Sequence, residues 1–296
     1  MNTILIIGSL NIDLATDIDI FPEAGETLLG GPLEISCGGK GNNQAIAASR
    51  LGSKVSILGA IGADNFGKIL IENLLNNQIN IDHLIIRNNV PTATALITRT
   101  PQDNRIVVTQ GANNTLKPED IIHAYKCIAK HDIILLQQEI PLETQYKAIE
   151  IAYELGKTIV VNPAPKRKIS PSILKKINYL LPNEHEIFSL AQTKSECFEN
   201  IILSSSVPII MTWGQKGVLY KSKDGTITHI PAYSVPIIDT TGAGDAFCGA
   251  FCSFNSLGVE AAIHKALQVS ALAVTRRGAQ NGMPTLRQLE MHPFFR

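Results

Sequence analysis

Short apolar runs rich in β-branched residues recur along the chain, and they constrain its fold more than any other feature. The runs lie at residues 4–7, 55–58, 133–136, 158–161, 179–181 and 208–211. They are continuous rather than alternating, as expected for parallel strands that are covered on both faces. The pattern therefore predicts a buried, mostly parallel sheet.

Helical patterns separate several of these runs. Residues 42–51 end before Gly52, residues 118–130 open with a proline, and residues 141–155 open with a proline and end before Gly156. Proline in the first turn and glycine after the last are typical helix boundaries. Strands that alternate with helices form βαβ units, so we predict an α/β fold: a doubly wound, mostly parallel sheet with helices on both faces.

Two segments, residues 11–36 and 91–110, do not follow this alternation of strands and helices. Polar and apolar residues alternate in them, for example at 92–98 and 105–109, between polar or glycine-rich turns. This is the pattern of half-exposed antiparallel strands. We expect a small β-stranded lid, inserted into one α/β domain that spans residues 1–296, which closes over a crevice or pairs between subunits.

Composition excludes several classes of protein. With 296 residues, 45% of them hydrophobic, the chain can bury a large core. Its 26 basic and 26 acidic residues leave no basic field for nucleic acid or an anionic membrane. The start lacks a secretory signal, and no apolar stretch has the roughly twenty residues of a membrane span. We therefore expect a cytoplasmic protein that binds neither nucleic acid nor membrane.

The cysteines number five and are scattered, which argues against a disulfide framework. Cys248 and Cys252 share a helical face, but no His or Cys cluster nearby completes a tetrahedral metal site. We interpret both as small core residues.

Polar residues follow most of the apolar runs. They include Asn11 and Asp13, Glu139, Asn162, Asn183 and Glu186, and Thr212 and Gly214. Ligands of open α/β sheets bind beyond the carboxyl ends of the strands, which favours a binding site here. Two structural alternatives remain: hydrogen-bonding residues commonly end strands, and an Asn followed three residues later by a Glu is also a helix capping box.

The segment 239–247 carries the most specific local chemistry. Gly242, Ala243 and Gly244 are small residues at a helix start, so their backbone N–H groups are accessible to an anion such as a phosphoryl group. Asp245 stands in the first turn, where it can take a proton from an attacking hydroxyl while the amides stabilise the phosphoryl oxygens. The structural alternative is an aspartate that stabilises the helix dipole alone.

A second glycine cluster, residues 37–44, also runs into a helix. Gly39 allows a ligand to approach the backbone, Lys40 supplies a cation, and Asn43 can donate and accept hydrogen bonds. Asn11 and Asp13 project to one side of an extended segment, and together these groups suit a polyhydroxylated ligand. The chain contains neither a P-loop nor a dinucleotide-binding glycine motif.

These motifs resemble those of the ribokinase family of carbohydrate kinases, and the resemblance covers nearly the whole chain. It rests on residues 8–13, 38–44, 162–165, 182–186, 239–245 and 275–280. It implies phosphoryl transfer from ATP to the primary hydroxyl of a small sugar, with D-ribose the expected substrate, and a homodimer formed through the lid strands.

The resemblance also implies a role for each matching residue. Around the sugar it places Asn11, Asp13, Gly39, Lys40, Asn43 and Glu139, with Asp245 as the base and Gly242, Ala243 and Gly244 as the anion hole. On the nucleotide side it places Asn183, Glu186, Thr212, Gly214, Gly217 and Gly244. Mg²⁺ is expected near Glu186, held mainly through phosphates and water. An activating K⁺ is expected at Asp239, Thr241, Val274, Arg277 and Gly278.

Two other functions compete with this one. The first is a kinase for deoxyribose, a nucleoside or a sugar phosphate. Asn11 suits a 2-hydroxyl, Trp213 lies on the nucleotide side, and no arginine pair sits in the glycine motif, all of which disfavour it. The second is a sensor that binds ligands without turnover, for which Asp245 has no use.

Overall fold

A computed structural model of the chain describes residues 2–191 and 197–293. The strands are β1 (Thr3–Ile7), β2 (Asn11–Asp17), β3 (Glu34–Gly38), β4 (Lys54–Gly62), β5 (Asn80–Arg87), β6 (Ala93–Arg99), β7 (Asn104–Thr109), β8 (Ile133–Gln137), β9 (Thr158–Asn162), β10 (Tyr179–Leu180), β11 (Ile209–Thr212), β12 (Val218–Lys221) and β13 (Ile227–Ile230). The helices are α1 (Lys40–Arg50), α2 (Asn65–Asn76), α3 (Pro118–His123), α4 (Tyr125–Lys130), α5 (Leu142–Glu154), α6 (Pro171–Leu174), α7 (Phe198–Ser204), α8 (Ala243–Phe254), α9 (Val259–Ala273), α10 (Ala279–Gly282) and α11 (Leu286–Met291).

The main sheet has nine strands in the order β13-β12-β11-β10-β9-β8-β1-β4-β5. Every pairing from β11 to β5 is parallel, and β12 and β13 form an antiparallel hairpin at one edge. The six predicted runs became β1, β4, β8, β9, β10 and β11. The predicted mostly parallel sheet is confirmed.

The strand β1 shows why the apolar runs are continuous. Ile4 and Ile6 belong to one core cluster, which includes residues of α1, α8 and α9. Leu5 and Ile7 belong to a second cluster on the opposite face, which includes residues of α3, α4 and α5. Each side chain is therefore buried whichever way it points, so no polar residue is needed in alternate positions.

The structure divides one of the predicted helices. The pattern at 118–130 forms two helices, because the backbone of Ala124 has a ψ of 8° and interrupts the ladder of hydrogen bonds between α3 and α4. Helix α8 begins at Ala243 with Gly242 as its N-cap, so the small residues lie at a helix start and Asp245 lies in its first turn, as predicted.

A second sheet of four strands, in the order β3-β2-β6-β7, forms the predicted lid. The outer pairs β2–β3 and β6–β7 are antiparallel as expected, but the central pair β2–β6 is parallel. The reason is that β2 follows β1 and β6 follows β5 through short connections, so both leave the main sheet in the same direction.

Ion pairs join this lid to the body of the protein. Asp17 and Glu34 both pair with Arg99 within the lid. They also pair with Arg277, which follows α9, at 3.2 and 3.3 Å. Among the described residues, no helix is both long and apolar enough to cross a bilayer.

Candidate active site

A cavity of about 180 Å³ lies at the carboxyl ends of the parallel strands. It is lined by Lys40, Asn162, Leu181, Asn183, Glu186, Thr212, Gly242, Gly244, Asp245 and Cys248. These residues come from the starts of α1 and α8 and from the ends of β9, β10 and β11. The fold therefore gathers predicted site residues from distant parts of the sequence into one crevice.

Asp245 lies at the floor of this crevice and is only 7% exposed. Its two carboxylate oxygens accept hydrogen bonds from the side-chain amides of Gln44, at 2.9 Å, and Asn43, at 3.0 Å. Burial raises the pKa of Asp245, while Lys40 and the two amides oppose this by favouring the charged form. The result is a carboxylate more basic than usual, which suits proton acceptance.

Backbone amides surround the same helix tip. Gly242 adopts a left-handed conformation with φ of 77°, and a Cβ there would meet the first residue of α10 at 2.8 Å. The Ala243 N–H donates to the Thr240 carbonyl at 3.2 Å. In the described part of the chain, the N–H groups of Gly242, Gly244 and Asp245 have no acceptor. The sequence predicted an anion pocket formed by the N–H groups of Gly242, Ala243 and Gly244. In the structure, the N–H groups available to an anion are those of Gly242, Gly244 and Asp245.

Lys40 brings the positive charge of the site. Burial lowers its pKa, but the carboxylates of Asp245, Glu139 and Glu186 outweigh this and raise it. Lys40 is therefore charged at neutral pH and faces three acidic side chains. An ammonium in this position offsets negative charge on phosphoryl oxygens.

Glu139 and Asp13 lie on the lid side of the crevice. The Glu139 carboxylate accepts hydrogen bonds from the hydroxyl of Ser9 and, at 3.1 Å, from the backbone N–H of Lys40. Burial and then the charges of Glu139 and Asp245 raise the pKa of Asp13 to about 6. Closely spaced carboxylates of this kind accept hydrogen bonds from vicinal hydroxyls.

Asn113 is a site residue that the sequence did not reveal. Its Nδ2 donates to Asn11 Oδ1 at 2.7 Å, and its Oδ1 accepts from the backbone N–H of Leu10 at 3.0 Å. Since the Asn11 oxygen is engaged, Asn11 presents its Nδ2 as a donor. The two asparagines are 102 residues apart, and Asn113 lies in a short 3₁₀ turn, so no local pattern marks it.

The glycines of the second cluster serve the packing of α1. Gly39 has a φ of 88°, and a Cβ there would lie 2.8 Å from the backbone nitrogen of Asn11. At Gly41 a Cβ would lie 2.7 Å from the backbone of Ser9. The close approach made possible here is between α1 and the chain after β1. The side chain of Asn43 also makes contacts within the protein: its Nδ2 donates to Asp245, and its Oδ1 accepts from Gln280 Nε2 at 3.0 Å.

Asn183 and Glu186 form the capping box that was the structural alternative for them. Glu186 Oε2 accepts from the Asn183 N–H at 3.0 Å, and Asn183 Oδ1 accepts from the Glu186 N–H at 2.8 Å. Glu186 also lines the cavity and accepts from Asn162 Nδ2 at 3.3 Å, and burial raises its pKa. The capping box therefore fixes the position of a carboxylate, that of Glu186, which also faces the cavity.

A second cavity, of about 420 Å³, adjoins the start of α8. It is lined by Gly214, Gln215, Ala232, Tyr233, Ser234, Val235, Ile237, Thr240, Ala243, Leu267, Ser270, Ala271 and Val274. Most of these residues are apolar and lie on α9 or in the chain before α8, where the sequence looks like ordinary core. Gly217 lies outside both linings; it has a φ of 96°, and a Cβ there would clash with the Ile230 carbonyl, so glycine lets the start of β12 approach the end of β13.

Hydrogen bonds hold the predicted cation residues together. Asp239 accepts from the backbone N–H groups of Thr241, at 2.9 Å, and Gly278, at 2.8 Å. Burial opposes ionisation, but these bonds and the charge of Arg277 keep the pKa of Asp239 below its ordinary value. The Val274 carbonyl already accepts from the N–H groups of residues 238 and 239, at 2.8 and 3.2 Å. The side chain of Arg277 points to the lid acids.

Comparison with known proteins extends these observations to the whole chain. Residues 1–286 match the pfkB family of carbohydrate kinases. The chain is 37% identical over 297 residues to the ribokinase of Bacillus subtilis (strain 168), covering 98% of this chain and 99% of that protein. It is also 37% identical over 299 residues to the deoxyribokinase of Salmonella typhimurium, covering 96% of each.

Solved structures agree with the fold. The structure of ribokinase from Thermotoga maritima has a TM-score of 0.90 and 34% identity, covering 98% of both chains. That of Arabidopsis thaliana ribokinase complexed with ribose and ATP has a TM-score of 0.88 and 25% identity, covering 98% of this chain and 97% of that one. The predicted family and fold are confirmed.

Proposed function

The chain belongs to the pfkB family of carbohydrate kinases, and we propose that it transfers the γ-phosphoryl group of ATP to the primary O5 hydroxyl of D-ribose, giving ribose 5-phosphate. One observation carries the proposal: the carboxylate of Asp245 and the N–H groups of Gly242, Gly244 and Asp245 meet at the start of α8. This helix start lies in the crevice, between the residues proposed to bind the sugar and those proposed to bind the nucleotide. A binding protein without turnover has no use for a buried base at that point.

The reaction follows from this arrangement. Asp245 accepts the proton of the sugar hydroxyl as O5 bonds to the γ-phosphorus, and the bond to the β–γ bridging oxygen breaks to release ADP. The amides at the start of α8 and the Lys40 ammonium stabilise the charge on the phosphoryl oxygens. Burial of Asp245 keeps it basic, and its two amide donors fix its orientation.

Ribose is favoured over 2-deoxyribose by the orientation of Asn11. Asn113 engages the Asn11 oxygen, so the group left for a sugar is an N–H donor. A donor fixed in a buried position gains most from a substrate with a hydroxyl to accept its hydrogen bond. We infer that Asn11 serves the 2-hydroxyl, together with Asp13, Lys40 and Glu139 around the sugar.

The base and ribose of ATP fit the larger cavity. It adjoins the anion pocket through Thr240 and Ala243, and its apolar residues suit the faces of a purine. We place the adenine between the chain at 232–237 and α9, with Gly214 at its edge. Thr212, Asn183 and Glu186 then lie nearest the phosphates.

Two ions accompany the proposal. Glu186 would hold Mg²⁺ through water, because the hydrogen bonds it accepts within the described residues end on Oε2, and the ion would offset negative charge on the phosphates. The Asp239 carboxylate and the Thr241 carbonyl would hold K⁺, which would add positive charge near the anion pocket. The Val274 carbonyl fits it less well because two amides already occupy it.

We further propose one α/β domain with the lid strands inserted, working as a homodimer in the cytoplasm, where ATP is available. The dimer proposal rests on β7, every residue of which is exposed. Ile106, Val107 and Val108 are 52%, 63% and 49% exposed on this edge strand. Apolar edge strands commonly pair with another chain.

A coupled assay for ADP release across D-ribose, 2-deoxyribose, other pentoses and nucleosides tests the function. We expect D-ribose to give the highest kcat/KM. Asp245→Ala should lower kcat by about 100- to 10,000-fold while calorimetry still detects ribose binding. Fast turnover of another sugar with no turnover of ribose would show that ribose is not the substrate. Near-normal rates in Asp245→Ala would show that Asp245 is not the base.

A further inference from the structure

Both the nitrogen and the oxygen of the Gln44 side-chain amide form hydrogen bonds. Nε2 donates to Asp245 Oδ1 at 2.9 Å and to Asn162 Oδ1 at 3.2 Å, and Oε1 accepts from Gln137 Nε2 at 2.6 Å. A carboxylate can only accept, so the nitrogen of Gln44 must face Asp245 and the orientation of the amide is fixed. Gln44 and Gln137 are both fully buried.

Gln137 is itself held in place by the sheet. It ends β8, and its Oε1 occupies the space that a Cβ on Gly8, just after β1, would need. Its Nε2 donates to Gln44 Oε1 from this position. Gln44 is thus supported by a side chain that lies between the ends of β1 and β8.

The charges around Asp245 make this donor important. Lys40 favours the ionised carboxylate, whereas the acidic side chains of Glu139, Asp13 and Glu186 oppose it, and the Cys248 thiol lies close by. The one cation, Lys40, thus faces three acidic side chains in a buried site where water screens charges poorly. Neutral amide donors then supply much of the stabilisation that a buried anion needs.

We propose that Gln44 is a positioning residue for phosphoryl transfer: its Nε2 holds Oδ1 of Asp245 so that the carboxylate stays ionised and directs its remaining lone pairs at the sugar hydroxyl. This inference rests on the proposed function, in which Asp245 is the base. Through Asn162, which also donates to Glu186 at 3.3 Å, Gln44 links the base to the nucleotide side of the crevice.

Gln44→Leu tests the proposal, because leucine keeps most of the volume and removes the donor. We expect kcat at pH 7 to fall by about 10- to 100-fold, as for the loss of a hydrogen bond to a charged group. The acidic limb of the pH profile should move up by about one unit, because the charged form of Asp245 is less stable. The deficit should therefore shrink as pH rises, and KM for ribose should change little.

Gln145→Leu is the matched control. Gln145 is equally buried, and it donates to the backbone carbonyl of Gln137 at 3.3 Å without contacting Asp245. Its pH profile should match the wild type. Gln44→Glu, which keeps the shape of the side chain, provides a second variant if Gln44→Leu does not fold, and it should move the acidic limb further upward.

The outcomes separate this inference from the proposed function. Absence of turnover of any sugar by the wild-type protein overturns the proposed function and, with it, the role of Gln44. Normal turnover of ribose by the wild type, together with an unmoved acidic limb in a folded Gln44 variant, overturns the positioning role alone. An equal loss of rate at every pH also counts against it, since misfolding or general loss of packing has that signature.

Discussion

The carboxylate of Asp13 fills the space that a side chain on Gly38 would need, and a Cβ there would overlap both of its oxygens. The two residues lie diagonally across the β2–β3 pair of the lid, in which Gly38 is opposite Asn11 and Asp13 is opposite Ser36. The glycine is therefore required for an acidic side chain to lie flat against the strand and face the crevice.

Gly38→Ala should raise KM for ribose by about tenfold or more with a smaller effect on kcat, because the methyl group displaces Asp13 from the sugar while Asp245 is untouched. Initial-rate kinetics give both constants. Gly31→Ala is the control in the same lid, since a Cβ there makes ordinary contact at 3.4 Å. Unchanged KM in Gly38→Ala would show that Asp13 does not bind the sugar.

Asp13 should also set a pH dependence. Its pKa of about 6 lies above the ordinary 3.8, so the fold disfavours its charge. The stability from its neutral form is fully present below pH 3.8 and is lost as pH rises through about 6. Asp13→Asn should raise Tm more at pH 8 than at pH 5 while it weakens ribose binding. Asp19→Asn, an exposed change in the lid, should shift Tm equally at both pH values.

Asn113→Ala should reduce discrimination between ribose and 2-deoxyribose, because Asn11 is then free to rotate its amide. We expect kcat/KM for ribose to fall by about 5- to 30-fold, the effect of one lost buried hydrogen bond. The value for 2-deoxyribose should change less. Asn114→Ala alters the exposed neighbour and should leave the ratio intact. An unaltered ratio in Asn113→Ala would contradict the role of Asn11 at the 2-hydroxyl.

Val107→Lys should weaken self-association, because a charge on the apolar edge of β7 opposes pairing with a second lid. Sedimentation velocity at several concentrations measures the effect. Ile227→Lys, on the edge strand β13 of the main sheet, places the same charge on another exposed apolar position and should leave the mass unchanged. A monomeric wild-type protein at all concentrations would rule out the proposed dimer.

Asp239→Asn should remove the response of kcat to K⁺. The test compares rates in KCl and in tetramethylammonium chloride at equal ionic strength, since only the smaller cation fits between oxygen ligands. The wild type should be faster in KCl, and the variant should show the same rate in both. Asp224→Asn, in the exposed β12–β13 turn, controls for charge. Equal rates of the wild type in both salts would exclude a cation at Asp239.

The sequence determined the parallel part of the sheet because burial on both faces leaves a continuous apolar run. The same reasoning missed β5, whose residues are mostly half-buried or exposed, and the short hairpin β12–β13 at the sheet edge. A local pattern carries little information where a strand meets solvent, as in β5 and β13, or where a buried strand has only four residues, as in β12. The parallel pairing of β2 with β6 depended on connections between distant strands, which a pattern within each strand does not contain.

The candidate site shows the same limit. Motifs within a few residues, at 37–44 and 239–245, pointed to Asp245 and Lys40, because glycines and charges at a helix start are a local signal. Asn113 and Gln280 carry no such signal, since their partners lie 102 and 237 residues away. The apolar cavity beside α9 was equally hidden, because the side chains that line it do not differ in type from those of a core.

The contact between Asn43 and Asp245 joins residues 202 positions apart, and Gln280 closes the arrangement from near the end of the chain. Contacts so distant in sequence form late, because a long loop must close before they add stability. During translation, the segment around Asn43 must therefore wait until α8 and α10 have left the ribosome. Under the proposed role of Asp245, a nascent chain that stops before α8 lacks the base and cannot transfer the phosphoryl group of ATP.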